Sequence, residues 1–143
     1  MGYHADIYNA LASLIDAAMP NPTTVTSALD MTEAKLEKFS RGVIIVRESI
    51  TLDPHPEVNP STSVEAQPEQ WTWALYVIGG GGGSRPHDRA THVDALLETL
   101  RTALNAQRLT ADCGPLHLVS EDYEGQHNNG VMYAQRWTHS RLG

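Results

Sequence analysis

The sequence predicts an α+β domain, a mixed and mainly antiparallel β-sheet flanked by helices, in the order α-α-β-β-α-β-β. Three observations lead there. Apolar residues recur at the three- and four-residue spacing of an amphipathic helix in two long stretches. Four other stretches are β-branched or alternate in polarity, as strands do. The strands fall into two pairs separated by one long helix, with no internal repeat, which argues for one sheet with helices on one face. The chain has 143 residues, 41% of them apolar, so a single domain over 1–143 can bury a true core.

Each element has its own signal. In Ala5–Met19, the residues Ile7, Leu11, Leu14, Ile15 and Ala18 form one stripe, and Pro20 and Pro22 stop the helix. Asn21–Leu29 is polar and Thr-rich and reads as loop. Asp30, Met31, Thr32 and Glu33 resemble a capping box, with a short acceptor at the cap and Glu three residues on. A short helix to Phe39 follows. Val43–Leu52 carries Val43, Ile44, Ile45, Val46 and Ile50 and predicts a strand. Asp53–Gln70, with Pro54, Pro56, Pro60 and Pro68, predicts a long exposed loop. Gln70–Ile78 alternates, with Trp71, Trp73, Leu75 and Val77 on one face and Thr72, Ala74, Tyr76 and Ile78 on the other. Five glycines, Gly79–Gly83, open a second long connection over 79–90. Thr91 is the expected cap of a helix to Ala106, whose stripe is Val93, Leu96, Leu97, Leu100, Ala103 and Leu104. Leu116–Ser120 predicts a short strand and Glu121–Gly130 a polar turn or hairpin loop. Val131–Thr138 predicts the last strand, with Val131, Tyr133, Gln135 and Trp137 on one face.

Composition narrows the function classes. The formal net charge is −7, and only two of the ten basic residues are lysines, Lys35 and Lys38. A general grip on nucleic acid needs many cations aimed at phosphates, so tight DNA wrapping is not expected. One cysteine, Cys113, forms no internal disulfide and no multi-cysteine zinc site, which fits a reducing compartment. The start of the chain shows no signal-peptide pattern, and no apolar run spans a bilayer, so no membrane association is expected.

The glycine run invites comparison with phosphate-binding loops. A P-loop requires Lys followed by Ser or Thr after its last glycine. Here Gly79–Gly83 is followed by Ser84, Arg85 and Pro86. A dinucleotide fingerprint enters its helix almost at once and has an acidic residue about 20 positions on; neither feature is present. The run reads as a slack connection, with Arg85 and Arg89 beside it as contact residues. His87, Asp88 and His92 form the only local histidine cluster, without the spacing of a metal site. Cys113 reads as a turn or edge residue, and Glu121, Asp122 and Glu124 as a solvated acidic tip. No nucleophile elbow or acid–base pair is visible. No catalytic, cofactor or metal residue is therefore assigned. Trp71, Trp73, Tyr76, Tyr133 and Trp137 lack the basic surround of a base-stacking surface and read as core or subunit interface.

The succession of the first helix Ile7–Ile15, the strand GVIIVRESI, the strand and loop WTWALYVIGGGGG, the helix HVDALLETLRTAL and the final CGPLHLVSED and VMYAQRWTHSR resembles the tail-terminator, or tail-completion, proteins of Mu-like long-tailed bacteriophages. The resemblance spans most of the chain and rests on order and spacing; the proline-rich loop and the five glycines depart from it. It implies a non-enzymatic virion protein at the tail–neck junction, made in the bacterial host cytoplasm. It also implies a homo-oligomeric ring, a hexamer, that caps the tail tube, ends its polymerisation and offers the head-joining surface. The implied partners are the tail tube protein and a head–tail connector protein, with DNA passing through the lumen without specific binding. The candidate assembly contacts are Gly79, Gly80, Gly81, Gly82, Gly83, Arg85, Arg89, Glu57 and Glu65, on the two long loops. Two alternatives stand beside this reading: another neck protein, or a small ligand- or nucleotide-binding domain using the glycine loop.

Overall fold

The computed structural model describes residues 2–20, 23–28, 30–34, 41–52, 68–79, 86–127 and 130–142. Its elements are α1 (Gly2–Ala18), β1 (Thr24–Ser27), α2 (Met31–Ala34), β2 (Gly42–Leu52), β3 (Pro68–Gly79), α3 (Pro86–Leu104), β4 (His117–His127) and β5 (Gly130–Leu142). The five strands form one sheet in the order β1-β2-β3-β5-β4. β1 pairs with β2 in parallel, and every other pairing is antiparallel. The α+β class and the mixed, mainly antiparallel sheet are as the sequence predicts.

The alternation of β3 builds the two faces of the sheet. Trp71, Trp73, Leu75 and Val77 join Val43 and Ile45 of β2 and Trp137 of β5 against α1 and α3. From the helices come Ile7, Leu11 and Ile15, and Val93, Leu97, Leu100 and Leu104, all buried. The opposite face holds a second cluster of Ile44, Val46, Ala74, Tyr76, Ile78, Met132 and Ala134, which Ala34 of α2 joins. The N-cap of α2 forms as expected: the Glu33 amide donates to Asp30 Oδ1 at 2.9 Å and the Ala34 amide to the Asp30 carbonyl at 3.0 Å.

Besides shifts of one to four residues at other element ends, four boundaries differ from the sequence reading, and α2, through Ala34, lies on the face opposite α1 and α3 instead of beside them. Thr24–Ser27, expected as loop, is a strand, because its backbone finds a parallel ladder on Gly42–Ile45. Helix α3 begins at Pro86, so Thr91 lies inside it instead of capping it; proline is well suited to a first helical position, where its missing N–H has no intrahelical partner. The connection expected over 79–90 thus shortens to 80–85, and Pro68–Gln70 belongs to β3, not to the loop before it. The fourth change is the largest. Glu121–His127 is the second half of β4, not a hairpin loop, and pairs with β5 as far as His127 opposite Gly130. The part of the α2 prediction covering 35–39 lies outside the described residues.

Candidate assembly surface

β4 is an outer strand of the sheet, and among the described residues it pairs only with β5. Along it stand three of the four large hydrophobics exposed among the described residues: Leu118 (37% exposed), Val119 (61%) and Tyr123 (56%). Register steps between Leu118 and Ser120 and between Tyr123 and Gly125 place Val119 and Glu124 in bulges. Gly125 adopts φ 115°, a conformation L side chains rarely adopt. Bulges and charges blunt an edge against promiscuous pairing. An exposed apolar set along such an edge is a candidate contact surface.

A partly buried polar network fixes β4 to the body. Arg101, in the last turn of α3, meets both Glu121 oxygens at 2.5 and 2.6 Å. Gln135 of β5 is fully buried. Its Nε2 donates to Glu121 Oε2 at 2.6 Å and to the Leu97 carbonyl at 3.2 Å. Its Oε1 accepts from Trp137 Nε1 at 2.8 Å. Glu121 is therefore a structural anchor, not part of a solvated tip. On the other face Arg136 meets Glu48 at 3.0 Å and Asp122 at 3.5 Å. The Glu48 carboxylate bonded to it raises the Arg136 pKa. Burial, then the Glu48 charge, raises the Tyr76 pKa from its ordinary value.

A second network closes the opposite end of β3 and β5. Trp73 Nε1 donates to His139 Nε2 at 3.0 Å, and Trp71 stacks on the same imidazole at 5.7 Å. Trp71 Nε1 donates to Glu69. Arg141 pairs with Glu69 at 3.2 Å and Asp112 at 3.0 Å. The Thr110 hydroxyl bonded to Asp112 contributes most to holding that carboxyl below its usual range. Cys113 is buried beside Thr110, its backbone bridged to Arg141, so its place is structural.

The other outer strand is β1. Beside it, on the helix face, lies an open groove of about 400 Å³ lined by Asn9, Ala12, Ser13 and Asp16 of α1 and by Val25. Both outer strands of the sheet thus carry surface features, apolar projections on one and a groove on the other.

The sequence-predicted contacts fare unevenly. Gly79 is buried as the last residue of β3. A Cβ there would lie 2.9 Å from Leu96 Cδ1 and 3.3 Å from Val93 Cγ2, so this glycine lets α3 approach the sheet. Arg89 falls in the first turn of α3. Gly80, Gly81, Gly82, Gly83, Arg85, Glu57 and Glu65 lie outside the described residues. His92 is exposed on α3. Among the described residues no group of three or more His, Cys, Asp or Glu could hold a metal ion, and no helix is long and apolar enough to cross a membrane. The aromatic reading holds: Trp71, Trp73, Tyr76 and Trp137 are core residues.

No protein-family model and no curated protein sequence matches the chain. Its fold is similar to that of the PVC sheath/tube terminator of an extracellular contractile injection system in the extended state. That likeness has a TM-score of 0.57 at 9% identity and covers 96% of this chain and 54% of that one. The chain thus spans about half the length of that neighbour. A chain of the virion of a native gene transfer agent particle also matches, with a TM-score of 0.48 and 14% identity, over 98% of this chain and 93% of the other. At these identities the likeness is one of fold.

Proposed function

We propose that this chain is a structural component of a phage-type tail. It assembles as a hexameric ring on the end of the tail tube, stops tube growth and presents the surface that joins the head. Its role is assembly, not catalysis. The observation that carries the reading is the shared fold with a sheath/tube terminator over 96% of the chain. Two further features support it. A ring needs one heterologous contact, hence two different patches on each subunit, and the two outer strands, β4 and β1, differ in length, charge and relief. The net charge of −7 suits a lumen through which DNA passes without sticking.

The test is the length of tubes grown from the cognate tail tube protein with and without the chain. A terminator yields tubes of limited length with a ring at one end in negative-stain images. Tubes of unchanged length, with no added density at either end, would sink the reading.

A further inference from the structure

The two outer strands run in opposite directions. β1 is parallel to β2, and three antiparallel steps lead from β2 through β3 and β5 to β4. A second copy set beside β4 in the same orientation therefore offers its β1 antiparallel to β4, with its helix layer on the same side. Rotation about an axis along the strands produces this placement, and repeating it closes a ring.

The register then decides what meets what. Val25 pairs with Val43, Val43 with Val77, Val77 with Tyr133 and Tyr133 with Tyr123. These five residues form one row across the sheet, all on the helix face, with Val25 at one end and Tyr123 at the other. Continuing the row into a neighbour without stagger sets Tyr123 opposite the neighbour's Val25. Val25 lines the groove beside α1. Tyr123 is 56% exposed and meets Tyr133 edge-on at 5.5 Å. We propose that β4 of one copy pairs antiparallel with β1 of the next, and that Tyr123 seats in the α1–β1 groove. This rests on the ring reading given above and names the seam of that ring.

Charge selects this pairing over its rival. Two copies could also join β4 to β4. That would set Glu121, Asp122 and Glu124 against their own kind, and like charges directly opposite destabilise a strand pair. β1 reads Thr-Val-Thr-Ser and carries no charge. The Glu124 bulge lies between the row of Tyr123 and that of Gly125. Across the seam these rows reach Val25 and Thr24, and the Thr24 amide donates to the Arg41 carbonyl. Glu124 of one copy thus comes level with the uncharged Val25–Thr24 stretch of the next.

The experiment uses two full-length variants, Val25→Cys and Tyr123→Cys, oxidised mildly alone and mixed. Facing residues of an antiparallel pair lie roughly 4.5–5.5 Å apart at Cα, within the roughly 4.4–6.8 Å that a disulfide spans. Cross-linked dimer is expected only in the mixture, because Cys113 is buried in every variant. In parallel, Tyr123→Asp should lose the ring in light scattering with its circular dichroism unchanged. Adding Asp16→Arg should restore the ring. A Tyr123→Cys sample that cross-links to itself would show β4–β4 pairing and overturn the seam. Rings that form without the mixed disulfide would overturn the seam and leave the ring reading standing. Wild-type protein that stays monomeric at every concentration and on added tubes would remove both.

Discussion

His139 is 1% exposed, and its two ring nitrogens have opposite duties. Nε2 accepts from Trp73, so Nδ1 carries the proton and donates to the Ser140 carbonyl at 3.0 Å. Burial holds its pKa below the usual 6.5, with smaller opposing effects from Ser140 and Asp112 and a further lowering from Arg141. Below pH about 6.5 the unfolded chain takes up a proton that the folded chain refuses, so stability is complete above that pH and declines as pH falls toward the folded pKa. The slope reaches at most about 1.4 kcal/mol per pH unit. Melting curves from pH 7.5 to 5 should show this decline, and His139→Gln should flatten it. Gln135 poses a different problem. Replacing it with Leu removes the acceptor of the buried Trp137 N–H and the donor to the Leu97 carbonyl. Leaving buried groups unpaired costs about 1–3 kcal/mol. Urea unfolding should therefore place Gln135→Leu well below wild type, whereas Thr102→Ala on the exposed side of α3 should change little.

At the scale of elements, the closest approach is that of α3 to the end of β3 over Gly79. The Cβ of Gly79→Ala meets the tip of Leu96, a flexible side chain that can yield, so a loss below about 1.5 kcal/mol is expected. Gly79→Val adds two branches against both Leu96 and Val93. It should cost about 1–3 kcal/mol and lower the melting temperature by several degrees. If Gly79→Val melts like wild type, α3 does not pack on β3 as described. Which elements were legible follows the physics that makes them. β2 and β3 declare themselves because a buried strand needs β-branched or alternating apolar residues, and both have them. β1 does not, because Thr24–Ser27 extends only by bonding to β2, a partner about 18 residues on in the chain. The far half of β4 was hidden by its position. An outer strand with two bulges and a positive-φ glycine uses the same Glu, Asp and Gly residues as a turn. Tyr123 lies in that stretch, so the exposed edge was missed with it. The start of α3 was misplaced at Thr91, although Pro86 is a favoured first helical residue.

Over the whole molecule, the ring proposal sets dimensions. Six five-stranded sheets joined edge to edge, at about 4.8 Å per strand, give a circumference of roughly 140 Å and a sheet diameter of roughly 45 Å. Strand tilt can only widen it. A ring of that width leaves a central passage for a DNA duplex only with the α1–α3 layer turned outward. The glycine segment offers a test at this scale. Substituting Gly80, Gly81 and Gly82 by alanine should leave the monomer's melting curve nearly unchanged if the segment is an assembly arm. Joining of filled heads to capped tails, counted by electron microscopy, should fall. Equal joining by the variant would remove the segment from the contact set.

β3 has twelve residues, roughly 40 Å of extended chain. The chain enters it from segment 53–67 and leaves it into segment 80–85, so the two segments depart from opposite ends of the same strand. Within one subunit this is only a matter of connectivity. Repeated around a closed circle of like-oriented copies, it becomes polarity: one rim carries only the Pro68 ends of β3 and the other only the Gly79 ends. Such an object has no dyad and cannot be turned over without changing what it shows, which lets one gene product face two unlike neighbours along a single axis.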